Sequence, residues 1–105
     1  MTFNEYLAGF ANVDHLSGLN VLNQQGDVVH HIPAVAGKLG SLKLYNALFE
    51  QFAGQFDAQT ATQGLIWFAE HVADAQAHAG KHPNVDLLFK VQADKLNYQL
   101  QPVAI

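Results

Sequence analysis

Leu42, Tyr45, Leu48, Phe49, Phe52 and Phe56 recur at intervals of three and four, with Lys43, Asn46, Ala47 and Glu50 opposite them. That spacing predicts a helix with one broad apolar stripe. No other feature constrains the fold as strongly, because a stripe carrying four aromatic rings must be covered by other parts of the chain. The covering element is predicted to follow at once. Gly54 and Asp57 interrupt the pattern, and Asp57 is a good helix cap. Leu65, Phe68, Val72, Ala75 and Ala79 then form the core stripe of a second helix, expected to run to about Ala79. Gly80 is a natural residue just past its end, and Pro83 follows. A link this short favours an antiparallel helix pair.

The remaining elements are shorter. Thr2 and Glu5 form a capping-box pattern ahead of Phe3, Tyr6, Leu7 and Phe10, which predicts a helix over 3–12. Residues 19–22 and 28–32 read as a hairpin around Asn23–Asp27, with Gly26 supplying the positive φ and Pro33 ending the second strand. Residues 36–40 read as a flexible connection, and Ser41 as the N-cap of the first long helix. Asn84 is a candidate cap for a short helix to about Gln92. Leu96, Tyr98 and Leu100 alternate with polar residues, which predicts a half-buried strand paired with the hairpin. The fold class is therefore α+β, in the order α-β-β-α-α-α-β. A small antiparallel sheet (the hairpin plus the C-terminal strand) packs on the antiparallel helix pair, in a single domain over 1–105. A chain of 105 residues, half of them hydrophobic, has enough material for one core without staples. A three-stranded sheet leaves edges open, so a homodimer is expected.

Several function classes drop out. Without cysteine there is no disulfide scaffold, thiolate metal site or cysteine nucleophile. The net charge is −4, there is no arginine, and the five lysines are scattered. Phosphate backbones need a basic stripe, so nucleic-acid binding is not expected. The opening MTFNEYLAGF has neither a basic region nor a long apolar one, and no stretch approaches the length of a membrane span. These features predict a soluble cytoplasmic protein that neither enters nor crosses a membrane.

Chemistry concentrates in residues 67–86. Trp67, His71, Asp74 and His78 fall within a wedge of roughly 60° on a helix. Glu70 and His82 lie beside them, and a polar Gly80–Asn84 turn follows. A carboxylate beside imidazole fixes its tautomer and raises its basicity, so His71 oriented by Asp74 or Glu70 is a candidate acid–base pair. With His82 folding back, the same donors suit a divalent metal, although the spacing is no metalloprotease signature. Trp67 is a candidate ligand wall. Lys81, His82, Asn84 and Asp86 are candidate ligand contacts in and just after the turn. The same residues also suit a solvated helix face with local ion pairs, and Trp67 suits burial against a neighbouring element.

Gly37-Lys38-Leu39-Gly40-Ser41 is a second anion-loop candidate, or a plain loop with a serine cap; its spacing is not that of a phosphate-binding Walker loop. His30 and His31 are adjacent on a strand and face opposite ways, so at most one joins any site. His15 reads as a loop residue. No Ser-His-Asp spacing, nucleotide fingerprint or cofactor motif is recognisable.

The strings DHLSGL, GKLGSLKLYNAL, GLIWFAEHVADA and, above all, GKHPNVDLLFKV resemble a family of short bacterial proteins catalogued as domain of unknown function 2322. Glu70, His71, Asp74, Gly80, Lys81, His82, Pro83, Asn84 and Asp86 match that family's pattern, while His78 falls in a looser segment. The resemblance implies a bacterial, cytosolic, single-domain protein and supplies no activity. Lys81-His82-Pro83-Asn84 also looks a little like the His-His-Pro region of pterin carbinolamine dehydratases. Those proteins need a further C-terminal histidine, and none follows His82. The leading expectation is thus a binding or regulatory module for a small anionic ligand or a protein partner. The alternative is a small enzyme using a His/Asp acid–base pair or a His/Asp-bound divalent metal.

Overall fold

The computed structural model describes all 105 residues. Asn23 builds the first hairpin. Its side-chain oxygen accepts from the N–H of Gln25 at 3.0 Å and of Asp27 at 2.9 Å. Gly26 turns the chain with φ 84°. The turn joins strand β1 (Leu16–Leu22) to strand β2 (Val28–Pro33). Before them, the capping box of Thr2 and Glu5 starts helix α1 (Phe3–Ala8), which ends at Gly9, earlier than its apolar spacing predicts.

The broad apolar stripe becomes helix α2 (Leu39–Phe52), with Leu42, Leu44, Tyr45 and Leu48 fully buried. Phe56 leaves that helix. Ala53 and Gly54 take positive φ values of 53° and 85° and reverse the chain. Residues Gln55–Phe56 then form a fourth strand, β3, that the alternation pattern is too short to reveal. Phe56 still reaches the core, edge-on to Tyr45 with ring centroids 5.9 Å apart.

Asp57 caps the next helix through Gln59 and Thr60, as its side chain predicts. The continuous helix expected to Ala79 is instead two: α3 (Ala58–Phe68) and α4 (Glu70–Ala77), broken at Ala69 with φ 51° and ψ −118°. A non-glycine residue in so sparsely populated a region costs of order 1–3 kcal/mol. The break realigns α4, so Trp67 does not continue the line of His71, Asp74 and His78. Helix α5 (Pro83–Asp94) and strand β4 (Tyr98–Ala104) complete the chain.

The sheet order is β2-β1-β4-β3, antiparallel throughout. Leu19, Val21, Ile32 and Leu100 face the helices and join the core. The opposite face is mixed, with Val29 exposed beside a polar row. His31 Nδ1 meets Asn20 Oδ1 at 2.7 Å, and Asn20 Nδ2 donates to Gln101 Oε1 at 3.2 Å, a row of side chains across three strands. Gly64 sets the helix packing: a Cβ there would lie 2.9 Å from Leu88 Cδ1 and 3.1 Å from Leu48 Cδ1, so α3 approaches α5 and α2 closely. No helix is long and apolar enough to cross a membrane.

Candidate functional site

The two helix-start loops of the sequence meet in space. Gly37, with φ 86°, bends the chain into α2. The helix begins at Leu39, two residues before Ser41, because Lys38 takes the cap position and offers no side-chain acceptor. The backbone N–H groups of Leu39, Gly40 and Ser41 therefore donate to nothing within the chain. Across from them stands the start of α5. Its N-terminus is partly closed, since the His82 carbonyl accepts from Val85 at 3.0 Å and Asp86 at 2.9 Å.

Between these two starts lies a cleft in two adjoining hollows. One, of about 250 Å³, is lined by Lys38, Lys81, Pro83 and Asn84. The other, of about 310 Å³, is lined by Phe3, Leu39, Gly40 and His71. Gly37, Ser41, Phe68 and His82 border both. Three larger hollows occur elsewhere, between α1, Asn12–Asp14 and Lys43, beside the hairpin turn, and between Asp57–Gln59 and Lys95–Asn97, but none contains an imidazole.

Asp74 organises the cleft's charged rim. Its Oδ2 pairs with His82 Nε2 at 2.5 Å and with Lys81 Nζ at 3.2 Å, while His78 approaches Oδ1 only to 3.8 Å. The hydrogen bond from His82, then that from Lys81, holds the Asp74 carboxyl below its ordinary range. A lowered folded-state pKa adds stability above the unfolded value, and that stability is lost as pH falls through the folded value. We expect Asp74→Asn to be less stable than the parent at neutral pH. The difference should vanish as pH is lowered below the ordinary aspartate range of about 4. Urea unfolding across that range measures it.

The expected site residues divide. His71 and His82 come together, ring centroids 5.6 Å apart, with His71 also edge-on to Phe3 at 4.7 Å. His82, rather than His71, holds Asp74. Glu70 turns away: its Oε1 accepts from the Phe3 N–H at 2.8 Å and anchors α1. That bond, followed by one from its own N–H, lowers its pKa. Trp67 packs on Phe10 at 4.6 Å and lines neither hollow. Asn84 is buried below the rim. Its carbonyl accepts from the Tyr45 hydroxyl at 2.6 Å, and its side-chain oxygen meets His30 Nε2 at 2.7 Å. Burial pushes the Tyr45 hydroxyl well above its usual pKa. Asp86 staples the preceding turn through the Gly80 N–H at 3.1 Å. Lys81 stands exposed at the mouth. No three histidine or carboxylate groups converge closely enough to hold a metal ion.

Phe3 and Phe68, the roof and floor, carry no chemical signal in the sequence, and no local pattern joins residue 3 to residue 71. Lys38 and Ser41 lie in the glycine-rich loop whose two readings the sequence leaves open.

No curated protein and no solved structure matches the chain. One family model matches residues 3–102, nearly the whole chain. With its GKHPNVD turn forming one wall of the cleft, the chain belongs to the uncharacterized proteins conserved in bacteria described as DUF2322.

Proposed function

We propose that the chain is a binding module for a small anionic metabolite, held in the cleft between the starts of α2 and α5. One observation carries this reading. A chain of net charge −4 with only five lysines brings two of them, two imidazoles and three unpaired N–H groups to one concave site, where Asp74 pairs with Lys81 and His82 on the rim and Lys38 has no carboxylate partner. Such a site favours an anion electrostatically, and the helix dipole adds to it. A cytoplasmic location belongs to the same reading. So does a homodimer along the free edge of β2, where Val28 and Val29 stand exposed on a strand without a charged residue.

The test is a titration with inorganic phosphate followed by amide NMR. The expected result is a saturable shift of Gly40, Ser41, Lys81 and His82, with affinity about tenfold weaker in the Lys38→Ala/Lys81→Ala double variant. Equal, unsaturable shifts around Lys43, Lys90 and Lys95 would overturn the reading.

The His82–Asp74 pair favours a second reading, in which His82 works as an acid–base group on the bound anion. Release of p-nitrophenolate from p-nitrophenyl phosphate by the parent, and none by His82→Gln, would support it. No release by the parent would leave binding alone.

A further inference from the structure

Helix α1 is seated on the rest of the fold as a separate ligand would be. Its six residues fall short of the roughly 12–15 that an isolated helix needs in water, so α1 depends on what it lies against. Phe3, Leu7 and Phe10 make that contact at positions i, i+4 and i+7, the spacing of a helix held in a groove. Phe3 stacks on Phe68 with ring centroids 5.4 Å apart, and Phe10 meets Trp67 at 4.6 Å. Gly40 lies under the helix. The three heavy atoms nearest to where its Cβ would stand belong to Phe3 and Leu7, at 3.1–3.3 Å. The groove is therefore shaped for this segment.

The hold on α1 is light. None of its residues is buried. One hydrogen bond, from the Phe3 N–H to Glu70 Oε1 at 2.8 Å, ties residues 1–10 to the rest of the chain. Hollows flank the helix on both sides, about 650 Å³ beside Asn4, Leu7 and Ala8 and about 310 Å³ beneath Phe3. Leu39 and Gly40 border both, so lifting α1 joins them into one trench. Elements with few buried contacts open well before the whole molecule unfolds.

We propose that α1 is an exchangeable strap, and that the trench beneath it accepts α1 of a second copy of this chain. The occupant follows from the fit. The segment seated in the groove is Phe3–Phe10 itself, and every copy carries one. Gly9, Ala11 and Asn12 are exposed between the strap and buried Val13, and supply the hinge. Extended, Gly9–Asn12 reach about 13 Å, so exchange brings the two grooves close together. The proposal is independent of what binds between Lys38 and Lys81.

The test pairs two full-length variants. Gly40→Leu keeps the strap and fills its seat. The nearest atoms its side chain meets are those of α1, so the core stays intact. Phe3→Ala/Leu7→Ala keeps the seat and disables the strap. Mixed and weighed by native mass spectrometry, the two should form a heterodimer about tenfold in excess of the share expected from random pairing. Adding Phe3→Ala to the Gly40→Leu chain should abolish that excess. A heterodimer at the random share, or an excess that survives this added change, would overturn the proposal. Amide exchange on the parent checks the strap without any substitution. The α1 amides should exchange at least about a hundredfold faster than those of Leu44, Tyr45 and Leu48 in α2. Equal rates would mean that α1 leaves only when the whole molecule unfolds, and would overturn the proposal as well.

Discussion

Replacing Phe68 by alanine is expected to lower the unfolding free energy by about 3–5 kcal/mol, the range for deleting a buried aromatic side chain. Phe68 is 3% exposed. Its ring stacks on Phe3, approaches Tyr45 edge-on at 6.4 Å, and floors both halves of the cleft. Removing it leaves a cavity and deprives Phe3 of helix α1 of its stacking partner. Domains of this size are stable by only about 5–15 kcal/mol, so the loss is a large share of the total. Thermal melting should fall by roughly 15–30 °C. Phe68→Leu should keep more than half of the lost stability, since it refills most of the volume. Urea denaturation of the three proteins measures this. A loss under about 1 kcal/mol for the alanine variant would mean that the ring is not part of the packed interior.

Gly18→Ala is the second large effect, and its sign separates two arguments. Propensity alone favours the substitution, since glycine in a strand interior is worse than alanine by about 0.5–1 kcal/mol. Sterics oppose it. A Cβ on Gly18 would lie 2.7 Å from the Ile32 carbonyl oxygen and 2.7 Å from His31 Cε1. The first contact is with backbone and cannot be relieved by a side-chain rotation. β1 is paired on both sides, with β2 and with β4, so it cannot move away without losing one ladder. We expect a net loss of about 2–3 kcal/mol by chemical denaturation. The companion variant Gly18→Ala/His31→Ala should retain most of that loss, because it removes the ring contact and leaves the carbonyl. An unchanged or raised stability in Gly18→Ala would overturn the close β1–β2 spacing.

Most of the fold was legible because local chemistry and global packing agree. The stripe of α2, the Asp57 cap, the Asn23–Asp27 turn and the alternation around Tyr98 and Leu100 all predict what the chain does. The misses have physical causes. β3 is two residues long and cannot show alternation. The break at Ala69 lies at a residue with high helix propensity, so a tertiary contact overrides the local preference. Glu70, freed by that break, ties α1 to α4. Ser41 looked like a cap because its hydroxyl suits one, but Val35 and Lys38 form a turn that starts the helix earlier. The histidine cluster was legible as a set and not as a geometry. Spacing on one helix paired His71 with Asp74, whereas the turn after α4 brings His82 back to take that carboxylate. The meeting of the Gly37–Ser41 and Gly80–Asn84 loops was beyond reach, because it depends on how α2 and α5 lie against each other.

The row His31–Asn20–Gln101 has a consequence for how the molecule assembles itself in time. Asn20 and Gln101 stand 81 positions apart, on the two inner strands of the sheet. Closing so long a loop is entropically costly and must precede the contacts that reward it. Helices α2 to α5 can sample their own turns early. The surface that Leu19 and Val21 offer them stays a lone hairpin until residues 98–104 arrive beside it. Helices α2, α3 and α5 can cover part of one another's apolar stripes first, and the sheet side of the core closes only once residues 98–104 lie beside β1.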